Sequence, residues 1–189
     1  RNLKVLDVGS GGGRIIEYLI SSGINPKNIV GADSNRELIE ISRRNIPSVN
    51  FIHSDISKAK FKNTSFDLIT SSMTLHHLDK TSFSKAVHKF YKWLVKGGTL
   101  LFIVVHPLRW GHGKHHEYFE RRDKLVDSAW GTKILYSHRT VSDYINELIN
   151  AGFKIDAVDE PEPTGKDKKN PEYKSYASFP HRLVIKATK

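Results

Sequence analysis

Three acids, one run of glycines and a few histidines carry the chemistry that can be read from this sequence. Asp7 sits in an apolar run, Leu3 to Val8, that ends in Gly9, Ser10, Gly11, Gly12 and Gly13, after which Ile15, Ile16, Leu19 and Ile20 take up helical spacing. Glycines at such a strand-to-helix turn let a ligand approach the backbone with no side chain between, and the following helix directs unpaired amides to the same place. The dinucleotide pattern G-x-G-x-x-G fails, because its last position falls on Arg14 when read from Gly9 and on Ile16 when read from Gly11. A phosphate loop fails too, since no Gly-Lys-Ser/Thr follows. A carboxylate two residues ahead of the first glycine would repel a pyrophosphate and attract an ammonium or sulfonium group.

A second acid, Asp33, ends the strand pattern Asn28 to Asp33, at close to the roughly 20-residue spacing at which a strand-end carboxylate accepts hydrogen bonds from a ribose. An acid that only starts the next helix is the plainer alternative. The third, Asp55, follows the strand pattern Val49 to His53. His76, His77 and His106 follow later strands at the same edge, and a histidine there can take a proton from a hydroxyl or a carbon acid. A polar turn or a substrate-orienting contact is the competing role for each. His138 and His181 are weaker candidates, and Arg139 could pair with an acid of a substrate or anchor the segment before it.

The elements that must position these residues alternate. Ser34 and Asn35 cap a helix expected to turn Leu38 and Ile41 inward; Phe66 to Ser72 is a fourth strand; an amphipathic helix from about Ser82 to Leu94 carries Phe83, Val87, Phe90 and Tyr91 as core. Lys96-Gly97-Gly98 reads as its stop, ahead of a fifth strand, Thr99 to Val105. Residues 106–139 form an insertion too long for a plain loop, with Trp110, His112, His115, His116, Tyr118 and Phe119; at the carboxyl edge of the sheet it reads as a lid. His112 and His116 have metal-ligand spacing, but Gly111 and Gly113 argue against an ordered helix there, and no metal is expected. Thr140 to Asp143 opens a last helix with Val141, Ile145, Leu148 and Ile149 on one face; Lys154 to Val158 is a sixth strand; a lysine-rich loop from Pro161 to Tyr176 leads to a final strand, Phe179 to Ala187. With nothing helical between them, the last two strands pair antiparallel. The expected fold class is α/β: a Rossmann-like, doubly wound sheet of seven strands, mostly parallel with an antiparallel C-terminal hairpin, and helices on both faces, in one domain spanning residues 1–189.

The 189 residues include no cysteine, which excludes disulfides, thiolate zinc sites and cysteine nucleophiles. No apolar run approaches the roughly 20 residues that span a bilayer, and with no signal peptide visible the chain reads as cytoplasmic. A formal charge of +10 suits an anionic partner such as nucleic acid, although a lysine-rich solvated surface explains it equally well.

Asp7, Gly9, Gly11 and Gly13 match, position for position, the first motif of the class I S-adenosylmethionine-dependent methyltransferases, and the sequence resembles that family. Phe66-Asp67-Leu68-Ile69 running on to His76-His77-Leu78 is similar to its fourth motif, and Leu94 to Phe102 is similar to the family's fifth-strand region. Val104 to Pro107, Ser137 to Pro163 and Phe179 to Lys189 look like the small-molecule group related to the ubiquinone and menaquinone methyltransferases, over essentially the whole chain. The resemblance implies S-adenosyl-L-methionine as cofactor, held by Asp7, Gly9, Ser10, Gly11, Gly13, Asp33, Ser34, Asp55, Ile56 and Ser71. Asp55 would face the adenine amino group with Ile56 against the ring, a plain turn aspartate being the alternative, and Ser71 and Ser72 would let the backbone approach the methionine part. An Asn/Asp-Pro-Pro-aromatic motif is missing, which disfavours amino methylation of adenine or glutamine. The family usually carries helices ahead of the first strand, and residues from such helices are not assigned. The expected activity is methyl transfer to a small-molecule acceptor. An RNA or tRNA methyltransferase and a noncatalytic cofactor-binding module are the alternatives.

Overall fold

The acids stand where strands of a seven-stranded sheet run out. The computed structural model describes residues 2–109, 117–127, 133–162, 164–165 and 180–189; Trp110, His112, His115, His116, Phe179 and most of the lysine-rich loop fall outside them. The strands of the sheet are β1 (Val5–Val8), β2 (Ile29–Asp33), β3 (Asn50–His53), β4 (Phe66–Ser72), β5 (Leu94–Val105), β8 (Lys154–Asp159) and β9 (Arg182–Thr188), in the spatial order β3-β2-β1-β4-β5-β9-β8. The pairs β1–β2, β2–β3, β1–β4 and β4–β5 are parallel, and β9 lies antiparallel between β5 and β8. The chain moves outward from β1 to β3, then returns to β4 on the other side of β1. The crevice at the carboxyl ends of β1 and β4 is therefore the switch point at which open α/β sheets bind ligands.

Helices cover both faces. On one, α1 (Arg14–Ser21) and α2 (Arg36–Asn45) press Ile16, Leu19 and Ile39 against Val5, Ile29 and Phe51. On the other, α3 (Lys80–Trp93) and α4 (Val141–Asn150) pack Phe83, Val87, Phe90, Tyr144 and Leu148 on Leu6, Val8, Ile69, Leu100 and Phe102. Val5 on one face and Leu6 on the other show the period-2 alternation of a strand buried on both sides.

Three local readings of the sequence are corrected. In α2 it is Ile39 and Ser42 that turn inward, while Ile41 is 37% exposed and Leu38 only partly buried; the hydroxyl of Ser42 donates to the Gly11 carbonyl at 2.6 Å and rotates that face onto the glycine turn. In α4 the capping box at Thr140 and Asp143 forms as expected, but Ile149 is 53% exposed and Tyr144, 2% exposed, takes the inward position. The pair Gly97-Gly98 does not end α3: the helix gives way at Leu94 directly to β5, and the glycines sit within the strand, where the pairing with β4 shifts register between Phe66 and Leu68. Within residues 106–139 lies a separate antiparallel hairpin, β6 (Asp123–Asp127) and β7 (Lys133–Ser137). No helix among the described residues is long and apolar enough to cross a membrane.

Candidate functional site

The glycine turn is fixed to β2 by its own amides. Gly9 and Ser10 donate to the Ala32 carbonyl at 2.7 and 3.1 Å, Gly13 donates to Ser10 at 2.8 Å, and Gly11 donates to the Asp33 carboxylate at 2.8 Å. The sequence suggests a cradle of amides aimed at a ligand; these four are instead engaged within the protein, so the turn supplies room. At Gly11, whose φ is +50°, a Cβ would meet nothing within 4 Å, and the residue faces a cavity. Gly9 is a glycine for another reason, since a Cβ there would lie 1.9 Å from the Thr74 hydroxyl. Gly13, at φ +89°, caps α1 and faces Ile46.

That cavity, of about 630 Å³, opens over the ends of β1, β2 and β4. Of the residues singled out in the sequence, Gly9, Gly11, Asp33, Ser34, Asp55, Ile56, Ser72 and His77 lie on its wall. One Asp33 oxygen takes the Gly11 amide and the other the Asn35 amide at 2.8 Å, which leaves lone pairs on both for a ligand hydroxyl. One Asp55 oxygen accepts from the Ser57 amide and hydroxyl at 2.9 and 2.8 Å, and the other lies 3.2 Å from the Lys58 ammonium. Partial burial raises the Asp55 pKa, but these bonds and the Lys58 charge outweigh it and hold the group below the ordinary carboxylate range.

Asp7, Ser10, Gly13, Ser71, His76 and His106 are not on that wall. Asp7 is 1% exposed; one oxygen accepts from the Thr70 hydroxyl at 2.7 Å and the other has no protein partner. Burial pushes its pKa up to about 7, Thr70 restrains the rise, and the charge of Asp33 adds to it. Ser71 is buried and donates to the Val8 carbonyl at 3.0 Å, stitching β4 to β1. Ser10 is buried with its hydroxyl unpartnered.

The three histidines separate. His106 is 2% exposed; its Nδ1 accepts from the Leu108 amide at 3.2 Å and its Nε2 lies 2.7 Å from Glu160, so both nitrogens are engaged. His76 is buried, and desolvation, then the charges of His77, Arg182 and Arg139, keep it neutral well below the ordinary histidine pKa. His77 alone of the three faces the cavity. Its Nδ1 lies 2.5 Å from the Leu135 carbonyl, which can only accept, so Nδ1 carries the proton and Nε2 of the neutral ring holds a lone pair.

Residues the sequence did not single out complete the wall. Met73 and Thr74 follow β4, and Met73 has φ +57°, rare for a side chain of its size. The hint was the pair Ser71-Ser72 ahead of an irregular turn. Ile134 and Leu135 reach the cavity from β7, a contact that no local pattern announces. Among the described residues no group of three His, Asp or Glu side chains could hold a metal ion.

Residues 5–98 match the model of the methyltransferase domain family. The whole chain superposes on 90% of a crystal structure from Listeria monocytogenes assigned to the S-adenosylmethionine-dependent methyltransferases, with a TM-score of 0.86 at 28% identity. Phosphoethanolamine N-methyltransferase of Plasmodium falciparum is 30% identical over 81% of this chain and 62% of its own length. Demethylmenaquinone methyltransferase of Clavibacter sepedonicus is 28% identical over 78% of this chain and 58% of its own. The chain thus spans less than two thirds of either of these two curated relatives.

Proposed function

The chain belongs to the class I S-adenosylmethionine-dependent methyltransferases, and from that premise we propose that it methylates a small organic molecule within the cavity walled by the glycine turn, Asp33, His77 and β7. One observation supports the acceptor class: Ile134 and Leu135 of the 106–139 segment form part of the wall of the cavity that holds the cofactor residues, so that this segment covers part of its opening. In this reading the segment is a lid, and residues 1–189 form one domain with the lid inserted between β5 and α4.

The residues present fit the cofactor. Asp33 has lone pairs left for ribose hydroxyls, Ile56 offers an apolar surface to the base beside Asp55, and Gly11 leaves space that any side chain would fill. Asp7, with an unpartnered buried oxygen beneath the turn, offers an acceptor there, and a cationic ligand above it would favour its charged form. S-adenosyl-L-methionine, when bound, supplies a methyl group already activated on a sulfonium sulfur. The protein's share is then to orient the acceptor, exclude water and, for a hydroxyl or carbon acid, accept a proton. In this reading His77, on the cavity wall with its Nδ1–H bonded to the Leu135 carbonyl, is the residue that accepts it, through Nε2. His106, with both nitrogens engaged, serves the fold.

Incubation of the enzyme with methyl-labelled cofactor and either a low-mass cell extract or total RNA tests the acceptor. Label in the low-mass fraction is expected. Label carried by RNA, with binding that weakens steeply in salt, would favour the alternative that the +10 charge suggests.

A further inference from the structure

Between the end of β4 and His77 the chain makes one irregular turn, and different elements hold its residues. The amide of Met73 donates to the Ile103 carbonyl of β5 at 2.8 Å, one residue beyond the Ser72–Ile103 pairing, while the Met73 backbone swings to φ +57°. For a side chain other than glycine that conformation persists only where its surroundings impose it. Leu75 and His76, just before His77, are buried.

Thr74 is where this turn meets the glycine turn. A Cβ added at Gly9 would fall 1.9 Å from Thr74 Oγ1, 2.4 Å from its Cγ2 and 2.5 Å from its Cβ, so the branched end of Thr74 stands where a Gly9 side chain would be. The Thr74 hydroxyl donates to the Ser72 carbonyl at 3.1 Å and lies 3.5 Å from the Gly9 carbonyl, a marginal bond, so the contact with Gly9 is chiefly one of shape. On its other side the Thr74 carbonyl accepts the His77 amide at 2.9 Å and closes the short helical turn Leu75–His77. Gly9 is itself fixed by its amide to the Ala32 carbonyl at 2.7 Å, and the His77 ring by its Nδ1 to Leu135. Gly9, Thr74 and His77 all lie on the cavity wall.

We propose that Thr74 is a positioning residue for methyl transfer: wedged between Gly9 and the His77 backbone, it sets the distance from the cofactor turn to the base. This rests on reading His77 as the base. The group that accepts the proton and the turn that holds the methyl donor are then parts of one rigid unit, and the reacting atoms inherit its geometry. A misplacement of about 1 Å in such a unit costs on the order of 10²-fold in rate without loosening the ligand to the same degree.

A double-mutant cycle between Thr74 and His77 tests this. Initial rates of transfer from methyl-labelled cofactor, at cofactor saturation, are measured into whichever fraction of a cell extract takes the label, and calorimetry gives the S-adenosylhomocysteine affinity of each protein. Thr74→Ala, which empties the space against Gly9, is expected to lower the rate about tenfold or more while that affinity changes by less than about threefold. Thr74→Val, which refills the space without a hydroxyl, should restore most of the rate. In a His77→Ala protein the further change Thr74→Ala should cost little, because an absent base cannot be misplaced. Thr74→Ser, which lacks only the methyl branch, repeats the cycle with a smaller loss should Thr74→Ala fold poorly. Losses that multiply in the double variant, an undiminished rate in Thr74→Ala, or a Thr74→Val rate as low as that of Thr74→Ala overturns the proposal. A His77→Ala protein as fast as the unmodified one would instead overturn the reading of His77 as the base.

Discussion

The Asp33 carboxylate accepts the Gly11 amide at 2.8 Å, a bond across 22 residues that holds the end of β2 against the glycine turn. The same carboxylate takes the Asn35 amide at the start of α2. Asp33→Ala is therefore expected to lower cofactor affinity by about 1–3 kcal/mol, the cost of losing a partly buried hydrogen-bonded acceptor. Calorimetry with S-adenosylhomocysteine reads the change, and unchanged affinity removes Asp33 from the site.

Two glycines of the turn should respond differently to valine. At Gly11 the added side chain enters the cavity, so Gly11→Val loses cofactor binding yet still melts cooperatively, with about 1–3 kcal/mol of backbone strain from its positive φ. At Gly9 the side chain meets Thr74, and the cost falls on folding: Gly9→Val melts at the lower temperature of the two. Thermal melts with and without S-adenosylhomocysteine separate the cases. Cofactor affinity retained in a folded Gly11→Val protein means that the ligand lies elsewhere.

Asp7 gives the apo protein a specific pH dependence. Burial lifts its folded pKa to about 7, above the ordinary carboxylate value of 3.8, so the stability it contributes is complete below about pH 4 and is lost as pH rises through 7. Between about pH 4 and 7 the melting temperature of the apo protein should fall and then level off, and Asp7→Asn should flatten that part of the curve. A profile that is the same in both proteins contradicts the assignment.

His77 and His106 should part in kinetics. With an acceptor that must lose a proton, His77→Ala is expected to lower kcat by about 10²- to 10⁴-fold and leave cofactor affinity unchanged. His106→Ala removes a buried pair with Glu160 and is expected to lower the melting temperature, with kcat at full cofactor saturation little changed. The reverse pattern moves the base to the end of β5.

Most of the fold was legible in the sequence because its signals are local. The strand patterns, the capping box at Thr140 and the aromatic face of α3 all depend on residues within a turn or two of one another. Ile41 misled because several helical faces fit a short amphipathic stretch, and a contact from Ser42 to Gly11 chose among them. Gly97-Gly98 misled because glycine ends helices and also permits irregular strands, and only the register against β4 distinguishes the two. The site was legible in part. Motif spacing placed Asp33, Asp55 and Gly11 on one wall, whereas the contacts of Ile134 and Leu135 and the bond from His77 to Leu135 join segments 58 residues apart, which no local pattern encodes.

β9 is inserted between β5 and β8, although it is the last strand in the chain. During synthesis the edge of β5, hydrophobic from Leu100 to Val105, must wait with its amides and carbonyls unpaired until residues 182–188 leave the ribosome. A nascent chain stalled before Arg182 would hold every residue proposed above for the cofactor and still expose the apolar, unpaired edge of β5.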